Sequence, residues 1–144
     1  MRVQPIGLIR TPFTKKEDVP HQPAFSRSRG RIEVFRKFEK GLNGVEGFSH
    51  LIVLFRFHCS RGYKMEVMPF RGSEKRGVFA CRAPWRPNQI GLSVVKLVRR
   101  RKNILYVEGV DMLDKTPLLD IKPYVPQFDP KGRLRIGWLK GKIP

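Results

Sequence analysis

Apolar residues come in short bursts along this chain, separated by glycine, proline and charge. The strongest burst, residues 51–57 (LIVLFRF), is apolar everywhere except Arg56. That pattern predicts a strand covered on both faces, as in a barrel stave. Residues 31–35 (RIEVF) and 104–110 (ILYVEGV) predict two more strands, and residues 118–121 a last one. Residues 3–10 (VQPIGLIR) predict a first strand, with Pro5 and Gly7 marking an edge or a bulge. Ile90, Leu92 and Val94 alternate before the parity shifts at Val95 and Leu97, which predicts a bulged strand over residues 90–97. Residues 77–81 predict another short strand, and Phe35, Phe38 and Leu42 fall at helical spacing. The sum is six or seven short strands with little helix: an all-β antiparallel barrel or sandwich in a single domain over residues 1–144. A core over about residues 3–126 is followed by a basic tail, 127–144, long enough for one more hairpin or an arm laid on a partner.

The polar stretches between the strands carry the candidate chemistry. Residues 82–87 pack Arg82, Pro84, Trp85, Arg86 and Pro87 together, ahead of the turn former Asn88. Two prolines stiffen this loop, and arginine grips a carboxylate or phosphate with two parallel hydrogen bonds. Residues 15–30 form a long polar loop around Pro20, His21, Gln22 and Pro23. His58 and Cys59 follow directly where the strongest apolar run stops. Asp111 and Asp114 lie three residues apart in a chain poor in acids. Arg99, Arg100, Arg101 and Lys102 make a four-charge hairpin tip suited to phosphate contacts, or to a solvated turn.

Composition narrows the class. The 30 Lys and Arg residues against 12 Asp and Glu give a formal charge of +18, and 40% of residues are hydrophobic. Such a chain folds and meets a polyanion, with RNA or DNA first. The two cysteines, Cys59 and Cys81, form no CxxC, so no zinc site and no disulfide framework is read. The first twenty residues carry both signs of charge and no run reaches bilayer length, so a reduced, cytoplasmic protein without membrane attachment is expected. A GxGxxG turn, a GxxxxGK[ST] loop, HExxH and GxSxG are all missing from the sequence.

Several stretches together resemble one family: Ile6-Gly7-Leu8-Ile9 with Thr11-Pro12-Phe13, Pro20-His21-Gln22-Pro23, Gly47-Phe48-Ser49-His50-Leu51, Phe57-His58, Gly77-Val78-Phe79-Ala80-Cys81-Arg82, Arg86-Pro87-Asn88 with Ile90-Gly91-Leu92-Ser93, and residues 111–124. They occur in the order found in the TsaA-like, TrmO-type tRNA methyltransferases. The resemblance implies a six-stranded barrel, a homodimer, S-adenosyl-L-methionine as cofactor, and N6-methylation of threonylcarbamoyladenosine at position 37 in the anticodon stem-loop of tRNA. Carried over by position, the cofactor contacts fall on Pro20, His21, Gln22, His58, Cys59, Arg82, Leu92, Asp111, Met112, Leu113 and Asp114. The sequence departs from the family pattern at His21 (often Arg), Cys81 (Thr), Gln89 (Pro) and Lys115 (Gly).

Methyl transfer from a sulfonium needs the acceptor nitrogen and the methyl carbon aligned at about 3–3.5 Å, with water excluded. Arg82 is expected to hold the cofactor carboxylate. Arg86, with Trp85 and Asn88, is expected to face RNA or the threonyl carboxylate, and Arg99, Arg100, Arg101 and Lys102 the RNA backbone. His58, Asp111, Asp114 and Asp120 are the candidates to take the proton from N6, or it passes to water. A non-catalytic RNA-binding barrel and a methyltransferase for a small molecule are the rival readings.

Overall fold

Leu51, Val53 and Phe55 turn inward from one strand, and alternation carries Ile52 and Leu54 to the outside. This strand, β3 (His50–Arg56), belongs to a closed six-stranded antiparallel barrel. The computed structural model describes residues 1–22, 24 and 26–144, so Pro23 of the proline-rich loop lies outside the described residues. The other staves are β1 (Gly7–Arg10), β2 (Arg29–Val34), β6 (Ile90–Arg101), β7 (Ile104–Glu108) and β8 (Thr116–Pro123). Around the barrel they run β1-β2-β7-β6-β3-β8, and β8 pairs back to β1. Closure removes the sheet edges that would otherwise invite aggregation. Strands β4 (Glu66–Val67) and β5 (Arg76–Gly77) form a separate two-stranded ribbon. No helix among the described residues is long and apolar enough to cross a membrane.

The lumen is filled by Ile9, Ile32, Leu51, Val53, Val95, Leu105, Val107 and Leu118, all essentially without exposure. Each such side chain contributes about 1.5–3 kcal/mol on burial. One end of the cylinder is plugged. A 3-10 segment, Arg36–Leu42, places buried Leu42 against the core, with Phe38 and Val45 packed beside it. Arg100 ties the plug down by donating to the Leu42 carbonyl at 3.2 Å and to Glu46 at 2.8 Å.

Five expectations change. The first strand starts at Gly7 rather than at residue 3. Residues 77–81 are not a strand: only Arg76 and Gly77 pair with β4, and Val78–Ala80 is a 3-10 turn that buries Val78. A short apolar burst does not distinguish a strand from a turn with one buried residue. In β6 the inward positions are Gly91, Ser93 and Val95, while Ile90 and Leu92 stand exposed outside. The register irregularity between β6 and β7 lies between Leu97 and Arg99, not at Val95. Finally, β6 continues through Arg101, so the hairpin tip is Lys102–Asn103 alone. Lys102 takes a left-handed backbone there (φ 54°).

The tail folds back as an arm on its own chain, not as a hairpin. Trp138 Nε1 donates to the Ala80 carbonyl at 2.8 Å, and Arg71 donates to the Lys142 carbonyl at 2.7 Å.

Candidate active site

The barrel mouth opposite the plug is polar where the rest of the lumen is apolar. Ser93 and Thr116, the buried polar residues, both face it. Ser93 occupies an inward position of β6, and its hydroxyl donates to Asp111 Oδ1 at 2.5 Å. Burial pushes the Asp111 carboxyl up to about 6; the Ser93 bond and the nearby Arg82 guanidinium only partly offset the loss of solvent. A group poised there changes protonation close to neutrality.

Arg82 reaches across from the proline-rich loop and donates to Gln22 Oε1 at 2.8 Å. Two residues sixty positions apart in sequence thus meet at one rim. The rest of the Arg82 guanidinium lies on an exposed side chain next to Asp111. The neighbouring loops are pinned. His21 stacks on Phe70, with ring centroids 3.4 Å apart and planes 13° from parallel. Lys16 Nζ donates to the Cys59 carbonyl at 3.0 Å.

His58 stands at the end of β3, its Nδ1 3.5 Å from Thr116 Oγ1. The Thr116 hydroxyl already donates to the Leu113 carbonyl at 2.6 Å, so toward His58 it can only accept. Partial desolvation of the His58 ring lowers its pKa from the ordinary value; a hydrogen bond to the Arg56 backbone and the Asp114 charge oppose the shift, and the Arg56 charge adds to it. The imidazole is therefore neutral at neutral pH.

Asp114 has a structural job. Its Oδ1 accepts from the Thr11 amide at 3.0 Å, and its own amide donates to the Phe13 carbonyl at 2.8 Å. This locks the exit of β1 to the acidic turn, helped by Thr11 Oγ1 donating to the Met112 carbonyl at 2.8 Å. Met112 is buried in the core and Leu113 is half-buried. Lys115 adopts φ 64°, the left-handed backbone for which a glycine is the natural occupant.

Arg86 does not face outward as expected. Its Nη1 donates to the carbonyls of Val78 at 2.9 Å and Cys81 at 2.7 Å, with a longer contact to Ala83 at 3.4 Å. A guanidinium placed among orphan loop carbonyls satisfies them, so Arg86 braces the loop that presents Arg82. Trp85 keeps an exposed face, with Lys64 Nζ 5.2 Å from its ring centre, and Asn88 is exposed. Gln89 has φ 51°, which proline cannot adopt. Its Nε2 donates to the carbonyls of Ser60 at 3.1 Å and Gly62 at 2.9 Å. The departure from the family proline is thus tied to a cross-loop clamp onto the segment following His58 and Cys59.

The predicted residues fall into three places. His58, Asp111, Met112, Leu113 and Asp114 gather at the mouth; Arg82 and Gln22 bridge its edge; Leu92 sits on the outer wall of β6. Arg99 and Arg101 stand on the outer wall too, whereas Arg100 holds the plug. Next to the Arg82–Gln22 pair is an open depression of about 450 Å³, to which His50, Val94, Lys96 and Glu108 contribute. None of those four, nor Ser93, was assigned a role in the site from the sequence. The one signal for Ser93 was a hydroxyl set between apolar residues in a strand, and the apolar alternation of its neighbours pointed it outward.

A methionine-type carboxylate fits the free donors of Arg82, and a cationic centre fits the buried Asp111 carboxyl beside it. The donor set of this rim therefore suits S-adenosylmethionine, whose charges have those signs.

The chain matches the family model described as the tRNA-methyltransferase O N-terminal domain over residues 8–130. A probable S-adenosyl-L-methionine-binding protein of Pyrococcus abyssi is 50% identical over 141 residues, covering 97% of this chain and 77% of that protein. A tRNA (adenine(37)-N6)-methyltransferase of Mus musculus is 42% identical, covering 92% of this chain but 33% of its own length. A crystal structure of TrmO superposes with a TM-score of 0.80 at 42% identity, over 95% of this chain and 63% of that one. The TrmO structure from Pseudomonas aeruginosa gives 0.80 at 40% identity, over 96% of this chain and 62% of that one. The chain thus spans less than two thirds of either solved protein.

Proposed function

Because this chain belongs to the family of the tRNA-methyltransferase O N-terminal domain, we propose that it is an S-adenosylmethionine-dependent tRNA methyltransferase acting on N6 of threonylcarbamoyladenosine 37 in the anticodon stem-loop. The observation that carries this reading is the meeting of the Arg82–Gln22 pair with the buried Ser93–Asp111 pair at one rim. Bound S-adenosylmethionine supplies an electrophilic methyl group on a sulfonium. Arg82 holds the cofactor carboxylate with the donors that Gln22 leaves free. Asp111, ionised at neutral pH with its pKa about 6, balances positive charge at the rim and takes the proton released when N6 gains its methyl. Of the other proton acceptors read from the sequence, Asp114 accepts from the Thr11 amide, Asp120 pairs with Lys122 at 2.9 Å, and His58 is neutral and available as an alternative base.

The assembly belongs to the same proposal. Ile90 and Leu92 share the outer face of β6 and, like Phe79, are exposed apolar side chains. A second copy of the chain covering them gives the homodimer. Light scattering of wild type and Leu92→Lys tests this: a dimer converted to a monomer supports it, and a wild-type monomer overturns it.

The activity is tested by incubating the protein with methyl-labelled S-adenosylmethionine and threonylcarbamoyl-modified tRNA, then resolving the nucleosides by mass. Label on threonylcarbamoyladenosine is expected. RNA binding without label on any nucleoside overturns the enzymatic reading in favour of a binding module. Label on a small metabolite, with unlabelled RNA, overturns the choice of substrate.

A further inference from the structure

On the outer wall, four strands bring Arg10, Arg31, Tyr106 and Arg99 into one cross-strand row. Their neighbours along each strand, Ile9, Ile32, Leu105 and Val107, are buried in the lumen, so the row faces out. A parallel row on one side holds Arg29, Glu108 and Lys96, and on the other Glu33, Ile104 and Arg101. The Arg99 guanidinium lies over the Tyr106 ring, 4.5 Å from its centre, and Arg99 itself is exposed. Glu33 pairs with Arg31 at 3.0 Å and Glu108 with Arg29 at 3.7 Å, whereas Lys96, Arg99 and Arg101 form no ion pair among the described residues. The wall therefore carries a surplus of cations around a planar, outward-facing stack.

The wall is also continuous with the candidate site, because Lys96 and Glu108 line the same depression as Arg82 and Gln22. From Lys96 to Arg101 the strand covers roughly 17 Å at about 3.4 Å per residue.

We propose that the outer wall of β2, β7 and β6 is a landing surface for a single-stranded segment of RNA. A nucleobase stacks on the Arg99–Tyr106 pair, Lys96 and Arg101 take phosphates, Arg31 exchanges its Glu33 contact for a third, and the strand is led toward the rim at Arg82. A sheet surface with an aromatic ring and a guanidinium suits unstacked bases, which every nucleotide in a loop can offer. The proposal rests on the reading of this chain as an RNA-modifying enzyme, and it deepens that reading by assigning the RNA a surface outside the methyl-transfer site.

The test is fluorescence anisotropy of tRNA and of a labelled single-stranded oligoribonucleotide, titrated across salt, with S-adenosylmethionine binding followed by thermal shift. Arg31→Glu/Arg99→Glu is expected to weaken RNA binding by about thirtyfold or more and to flatten the salt dependence. The same charge change in the tail, Arg133→Glu/Arg135→Glu, is expected to cost less than about fivefold, and neither pair shifts cofactor binding. Arg99→Lys, which keeps the charge but not the plane, is expected to lose several-fold affinity for single-stranded RNA with little change of salt slope. Equal losses from the wall and tail reversals, or wild-type affinity in the wall reversal, overturn the surface. Arg99→Lys indistinguishable from wild type overturns the stack. If the wall reversal leaves RNA binding intact but abolishes wild-type binding to anionic lipid vesicles, the surface belongs to a membrane instead. Wild type that methylates tRNA while the wall reversal binds RNA normally removes the surface and spares the enzyme; wild type that binds no RNA removes both.

Discussion

The two ends of the barrel are built from the same strands and spend their residues differently. At the plugged end, Leu42 is buried, Arg100 satisfies the Leu42 carbonyl and Glu46, and Asn103 Nδ2 donates to the Val34 carbonyl at 2.7 Å. At the mouth, a carboxyl lies beside a serine in the lumen with its pKa pushed up to about 6. Hollow size does not separate the two ends: a depression of about 380 Å³ lies beside the plug, against about 450 Å³ at the rim. Chemistry does. The plug-side hollow is lined by apolar Phe38, Leu42 and Ile121 with Lys37, Lys40 and Asp120, whereas the rim presents an arginine beside an acid whose pKa is pushed up to about 6. One end contributes stability, and the other stores cost for use in binding and proton transfer.

The comparison breaks first at Leu42. Leu42→Ala opens a cavity under the core and is expected to cost about 2–5 kcal/mol in urea unfolding while leaving cofactor affinity unchanged. Loss of cofactor binding in a folded Leu42→Ala protein would show that the plug takes part in the site. Arg82→Ala is the converse: about a hundredfold loss of S-adenosylmethionine affinity or turnover, with a melting temperature near wild type. Wild-type turnover in that variant would remove Arg82 from the site.

Asp111 sharpens the contrast through pH. Its folded pKa, about 6, lies above the ordinary value of 3.8, so the folded state holds the proton more tightly than the unfolded chain. Stability is then highest at low pH as far as this group is concerned, falls as pH rises from about 4 to about 6, and carries the full penalty above that. Asp111→Asn keeps an acceptor for Ser93 and removes the penalty. It is expected to be more stable than wild type by about 2–3 kcal/mol at pH 8 and equal to it at pH 4, with turnover reduced. Equal stability at both pH values would mean the carboxyl is solvated. The smallest effect is at Lys115: replacing it with glycine relieves the left-handed backbone and is expected to stabilise by about 0.5–1 kcal/mol in the same assay.

The barrel staves were legible where alternation marks one face, as in β3, and the glycine-like backbone at Lys115 was legible from the motif in which it stands. β6 was misread because its outward positions, Ile90, Leu92 and Val94, are more apolar than its inward Gly91 and Ser93. Hydrophobicity alone does not tell a lumen from an outer wall. Gly91 faces inward because the Phe55 ring fills the place a side chain would take, 2.4 Å from where its Cβ would be. The meeting of Gln22 with Arg82 depends on two loops converging across the rim, and the inward turn of Arg86 depends on which carbonyls its loop leaves unpaired. Neither is written in residue type or spacing. Likewise the row from Arg10 to Arg99 exists only once strand register is known.

The central claim, that the mouth and not the plug receives the methyl donor, is tested most directly by photo-crosslinking labelled S-adenosylmethionine to the protein and mapping the labelled peptides. Label on the peptides that carry Gln22, Arg82 and Asp111 is predicted. Label confined to residues 36–46, beside Lys37 and Lys40, would contradict the account.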